Sequence, residues 1–329
     1  MAEDLLGGSP NVMSSSEYRR ITGKTETMED NVLFGRAKRL TALDRKEKAF
    51  LSIATLSILA TVAVVIYRLA TLNNLNEDKK EKLDDETFAV LLLLSCCFLL
   101  YFSFHGVLRE REFELWAFIA ALFIVAMYLV WNFVGTSDHA NVRTAKLVRL
   151  IIFFVAALPN GILAFLVSRE FRWLEFRIVG ADPLLQHMFQ TYSRFSTLLV
   201  FDLQILIYVM VMVYNPYGEA HLAEKIVAPI LAAFTFILLI VAVQGVTREK
   251  KILLQIWGVC IILEPIYFAW KCYWIAHKWN DTNFDRRLAE IFYVGAAIAI
   301  VVRGAAAYYA SVCYNNFNQG LKQRAFGNN

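Results

Sequence analysis

The sequence predicts an all-α, polytopic membrane protein: eight transmembrane helices as two parallel four-helix repeats, with amphipathic helices on the inner surface. Three observations carry this. Of the 329 residues, 58% are hydrophobic and the mean hydropathy is +0.47, outside the range of soluble globular domains. Eight apolar stretches, each long enough or nearly so to cross about 30 Å of hydrocarbon, are separated by loops that collect the charges. The first four stretches and the last four share residues in the same order.

Residues 1–30 are rich in Ser, Gly, Glu and Thr without apolar periodicity, and read as a disordered cytosolic tail. Their opening, MAEDLLGGSP, has no signal-peptide pattern, which leaves targeting to the first span. Residues 31–48 space apolar residues among cations and suit a helix on an anionic inner surface, a solvated tail being the alternative. The spans follow at 49–72, 87–106, 113–135, 150–168, 197–214, 226–246, 252–274 and 291–313. Residues 31–168 therefore form the first repeat, 169–196 a cytosolic linker, 197–313 the second repeat and 314–329 a cytosolic tail.

Charge sets the orientation. With the N-terminus inside, 20 Lys and Arg residues fall on the inner side and 10 on the outer side. This bias puts both termini in the cytosol, without choosing between plasma membrane and endomembrane. The sequon at Asn280 falls outside but close to the membrane.

The repeat is legible at several points. His105-Gly106-Val107-Leu108-Arg109-Glu110 closes span 2 and Gln244-Gly245-Val246-Thr247-Arg248-Glu249 closes span 6. In that register Tyr128 and Trp131 match Tyr267 and Trp270, and, with a small shift, Asn160-Gly161 matches Arg303-Gly304. Four spans per unit make the copies parallel rather than inverted. In the linker, Asp182-Pro183 reads as a helix start, and Leu184, Leu185, Met188, Phe189, Tyr192 and Phe195 recur at helical spacing. They predict an amphipathic helix that bends or runs straight into span 5.

Glu264 and Arg303 stand at the centres of spans 7 and 8. A charge at bilayer depth costs roughly 2.5–3.5 kcal/mol on insertion scales, so the two read as an ion pair near the midplane. Pro265 predicts a break beside Glu264, and Pro159 with Gly161 predicts another beside Asn160. Glu264, Arg303 and Asn160 then define a midplane polar site between the repeats. Asp202, Gln204 and Gln244 form an inner polar layer below it, and Lys271, Tyr267 and Trp270 line an outer vestibule or an interfacial belt. Arg68 snorkels near a span end. Gly295, Ala299, Gly304, Ala306 and Ala310 favour close packing of span 8, which turns Arg303 inward.

All five cysteines lie in apolar segments, with no zinc or disulfide spacing; Cys313, near a helix end, also suits palmitoylation. No metal site or cofactor is implied: the five histidines sit at helix ends or in loops, away from where haem would need them. No enzyme motif occurs, and the basic loops face a membrane rather than nucleic acid. The partners expected are the lipid bilayer, a small solute or ion, and a second copy of the chain. Two functions stay open: a small-solute or ion transporter or channel, and a non-transporting scaffold or sensor whose ion pair is structural.

Overall fold

A computed structural model describes residues 28–29, 37–38, 43–72, 79–134, 140–171, 183–213, 222–277 and 286–319. Most of the predicted N-terminal tail and inner-surface segment, the linker before Pro183, the Asn280 sequon, the Arg68 side chain and the tail beyond residue 319 lie outside the described residues. Within the N-terminal stretch, two-residue strands β1 (Met28–Glu29) and β2 (Ala37–Lys38) pair antiparallel.

All other described elements are helices, and eight spans are long and apolar enough to cross a membrane. In chain order they are α1 (Arg45–Leu72), α2 (Lys79–Leu108), α3 (Glu112–Val134), α4 (Ala140–Glu170), α5 (Pro183–Val213) and α6 (Leu222–Thr247). A seventh span is split into α7 (Lys251–Cys260) and α8 (Leu263–His277), and α9 (Arg286–Asn315) completes the set. The apolar stretches form helices because, in lipid, backbone groups must be paired within the segment. Large apolar side chains such as Leu56, Val134 and Val259 stay exposed on the outside of the bundle, as a lipid-facing surface requires.

Helix ends are set locally. At the start of α1 the Asp44 amide donates to Glu47 Oε2 at 2.8 Å, the back-reaching half of a capping box. The α2–α3 turn is a Schellman-type closure: Arg111 N donates to Gly106 O at 2.8 Å, and Glu110 sits at φ 51°. The α6–α7 turn repeats it bond for bond. Lys250 N donates to Gly245 O at 2.8 Å and Glu249 sits at φ 52°.

In the first half, α1 packs on α2 and α4, and α3 packs on α2 and α4. In the second half α9 lies along α5, while α6 packs on α5 and α7. The halves meet where α5 crosses α2 and α3. This makes α5 the most enclosed span: 67% of its most apolar window is buried, against 17% for α4. Of the two courses expected for the linker helix, the straight one is found: Pro183 opens a single helix running into the span. Leu185, Met188, Phe189, Tyr192 and Phe195 of its first turns are buried in the protein, and Leu184 is exposed.

Candidate functional site

Arg303 projects from the middle of α9 into a narrow space between four other helices. Its Nη2 donates to Asp202 Oδ2 of α5 at 2.5 Å and also meets Glu264 Oε2 of α8. Its Nη1 donates to the Ile261 carbonyl at 3.4 Å. On the far side of Glu264, Oε1 is hydrogen-bonded to Thr235 Oγ1 of α6. None of Arg303, Asp202, Glu264 and Thr235 is more than 6% exposed.

Two local features bring these groups together. Pro265 has no N–H, so the Ile261 carbonyl four residues back loses its helical partner. The helix breaks at Ile261–Ile262 and that carbonyl serves Arg303 instead. Small residues let α9 approach α5: Ala299, Ala306 and Ala310 are buried, and a Cβ on Gly295 would come 3.1 Å from Val209 Cγ2. Gly304, expected in the same seam, faces outward with nothing near it.

Asp202 is where the sequence reading is corrected. It was expected in an inner layer beneath the ion pair, on the premise that span 5 starts at residue 197. Because α5 starts at Pro183, Asp202 lies nineteen residues in, roughly 28 Å along the helix, and level with Arg303. The other members of that layer are elsewhere. Gln204 is fully buried and donates to Tyr208 Oη, which donates to Ser95 Oγ at 2.8 Å across the boundary between the halves. Gln244 is half-buried in the last turns of α6, where its backbone carbonyl accepts from Arg248 N at 3.0 Å.

Asn160 does not join Arg303, and the polar site is not between the halves. Asn160 is buried in the first half, donating to Ser57 Oγ at 2.8 Å and to the Ala156 carbonyl at 2.9 Å. The helix α4 continues unbroken through Pro159 and Gly161. Further along α8, Lys271 is buried with Nζ 4.3 Å from the Trp274 ring centre, while Tyr267 and Trp270 have their ring centres 6.1 Å apart.

A second buried charge cluster had no counterpart in the sequence reading. At the α2–α3 turn, His105 Nδ1 meets Glu114 Oε2, Arg111 Nη1 donates to Glu114 Oε1 at 3.2 Å, and the Arg111 guanidinium lies 5.5 Å from the Tyr192 ring centre. Burial draws the neighbouring Arg109 guanidinium below its ordinary value, and the charge of Arg111 adds to the effect. The signal available was Glu114, an acid inside an apolar span close to a basic turn. The cluster ties α5 to the α2–α3 turn.

Two cavities accompany the two buried polar groups. The one at Arg303 has a free volume of about 10 Å³ and is lined by Asp202, Thr235, Trp257, Ile261 and Glu264. That is room for one water at most. The other, of about 40 Å³, is lined by Ser57, Cys96, Phe118, Leu122, Val125 and Asn160. In the register that sets Gly106 against Gly245, Cys96, Phe118, Leu122 and Val125 fall on Thr235, Trp257, Ile261 and Glu264. Phe50 meets Phe118 edge-on at 5.4 Å and 84°, and Phe195 meets Trp257 edge-on at 5.3 Å and 88°. Setting Phe50 against Phe195 aligns Ser57 with Asp202, so the Asn160–Ser57 bond lies where Arg303 and Asp202 meet.

No curated protein and no solved structure matches this chain. A family model described as a domain of unknown function, DUF7789, matches residues 34–169 and 179–308. Since these stretches cover most of the sequence, the chain belongs to the DUF7789 family.

Proposed function

We propose that this multi-pass membrane protein is a non-transporting scaffold or sensor, built from two copies of one four-helix unit, in which the Arg303 site clamps the second copy. The observation that carries the reading is the closure of that site. Its free volume of about 10 Å³ holds nothing larger than a water, and the two Nη atoms of Arg303 are engaged by two carboxylates and a carbonyl. Duplication is supported by the identical turns at Gly106 and Gly245, the paired aromatic contacts and the aligned cavity linings. It is also supported by a family model that matches in two stretches dividing between α4 and α5.

The test is access to the clamp. In a variant lacking the five native cysteines, Leu238→Cys would place a thiol in the wall of the site. A small membrane-impermeant thiol reagent is expected to leave it unmodified from both sides of reconstituted vesicles. Labelling from either side would overturn the scaffold reading.

One observation favours a transporter or channel instead. The helix break at Ile261–Ile262 sits beside buried carboxylates, the combination from which intramembrane ion sites are built. Under that reading the closed site is one state of a cycle, and the same thiol becomes reactive when the site opens.

A further inference from the structure

The Arg303 site contains two acids and one base. The titratable or charged groups in its wall come from three helices: Asp202 of α5, Glu264 of α8 and Arg303 of α9. Elsewhere α6 contributes the Thr235 hydroxyl with Leu238 and Leu239, and α7 contributes the Trp257 ring. With both carboxylates ionised, the site would hold one net negative charge at residues only 2–5% exposed. Two carboxylates confined to one buried site do not both ionise when a proton is available, because neither water nor a second cation offsets the repulsion.

The hydrogen count at Thr235 is compatible with this. A threonine hydroxyl has one hydrogen to give and two lone pairs with which to accept. Thr235 Oγ1 is within donating reach of two acceptors, the Leu231 carbonyl oxygen at 3.0 Å and Glu264 Oε1. With its hydrogen on the Leu231 carbonyl, the hydroxyl keeps a lone pair that can accept from a protonated Glu264.

We propose that the Arg303 site is a proton-binding site. One exchangeable proton resides on Glu264 Oε1 and is donated to Thr235 Oγ1, while Asp202 remains the anion paired with Arg303. Protonation makes the site neutral. The free volume of about 10 Å³ excludes a hydrated metal cation as the neutralising partner. Asp202 Oδ1, buried and without a hydrogen-bond partner, is the alternative seat for the proton.

Infrared difference spectroscopy of the full chain in lipid nanodiscs tests this. Wild type minus E264Q at neutral pH is expected to contain a carbonyl band from a protonated carboxyl, and T235V is expected to shift that band. A difference spectrum without the band overturns the proposal. A band that survives E264Q but disappears in D202N moves the proton to Asp202 and overturns the assignment to Glu264. A band indifferent to T235V overturns the Thr235 hydrogen bond. Thermal unfolding against pH provides a second readout. The folded site keeps its proton to higher pH than the unfolded chain does, so raising pH favours unfolding. The unfolding equilibrium should shift about tenfold per pH unit over that range, and E264Q should remove this component. A wild type and an E264Q variant with the same pH dependence would overturn the proposal.

The inference rests on the closed clamp of the scaffold reading, yet the two fail separately. Access of a thiol reagent to Leu238→Cys sinks the scaffold and leaves the band; absence of the band sinks the proton and leaves the scaffold.

Discussion

Arg303 is held by groups from three places in the sequence: Asp202, Glu264 and the Ile261 carbonyl. Removing one partner of a buried ionic group costs about 3–5 kcal/mol, because the remaining charges lose their compensation in a medium that does not solvate them. R303A should therefore lower the melting temperature sharply in mild detergent, read by a thiol-independent unfolding assay. A charge swap combining E264R with R303E tests the role of Asp202. If Glu264 and Arg303 were an isolated pair, the swap would restore the contact; with Asp202 alongside, R303E sets two carboxylates together and rescue should fail. Adding D202N to the swap should recover part of the lost stability.

At the scale of the element, the two Schellman turns tolerate different changes. Both Gly106 and Gly245 let the following helix come close. A Cβ at Gly106 would meet Leu115 Cδ2 at 3.2 Å and Glu114 Cβ at 3.3 Å, both side-chain atoms. A Cβ at Gly245 would meet Leu253 Cβ at 3.2 Å and also the backbone nitrogen of Leu254 at 3.2 Å. Backbone moves less readily than a side chain, so Gly245→Ala should destabilise by about 1–3 kcal/mol and Gly106→Ala by less. Comparative thermal unfolding of the two variants checks the order. The α7–α8 break follows from the chemistry of Pro265, and α4 shows that proline alone is not sufficient. Its Pro159 lies in an unbroken helix, where no arginine takes the place of Pro159 as donor.

For the whole molecule, we propose that both termini lie in the cytosol: eight crossings by the candidate spans among the described residues would put them on one side, and the loops of that side carry the excess of basic residues. Epitope tags at the two ends should therefore become accessible to antibody together, and only after the membrane is permeabilised. Staining of either tag in intact cells would contradict the orientation. The halves are held together through α5, by the Gln204–Tyr208–Ser95 chain and by the packing of Tyr192 near Arg111. A helix that closes one four-helix unit and also joins it to the other explains why α5 is the most enclosed span.

The sequence by itself determined that the chain is helical, with eight stretches long and apolar enough to cross a membrane, because hydrophobic length is a local property that lipid converts directly into helices. It also exposed Glu264, Arg303 and Pro265, since a charge or a proline in an apolar run stands out without any knowledge of neighbours. Only the tertiary structure decided which helices face one another. It placed Asp202 and Thr235 beside Glu264, kept Asn160 with Ser57, and closed the cavity around Arg303. Those outcomes depend on where α5 begins and on how closely small residues let α9 approach it. Such distances arise between segments a hundred residues apart, and no local pattern encodes them.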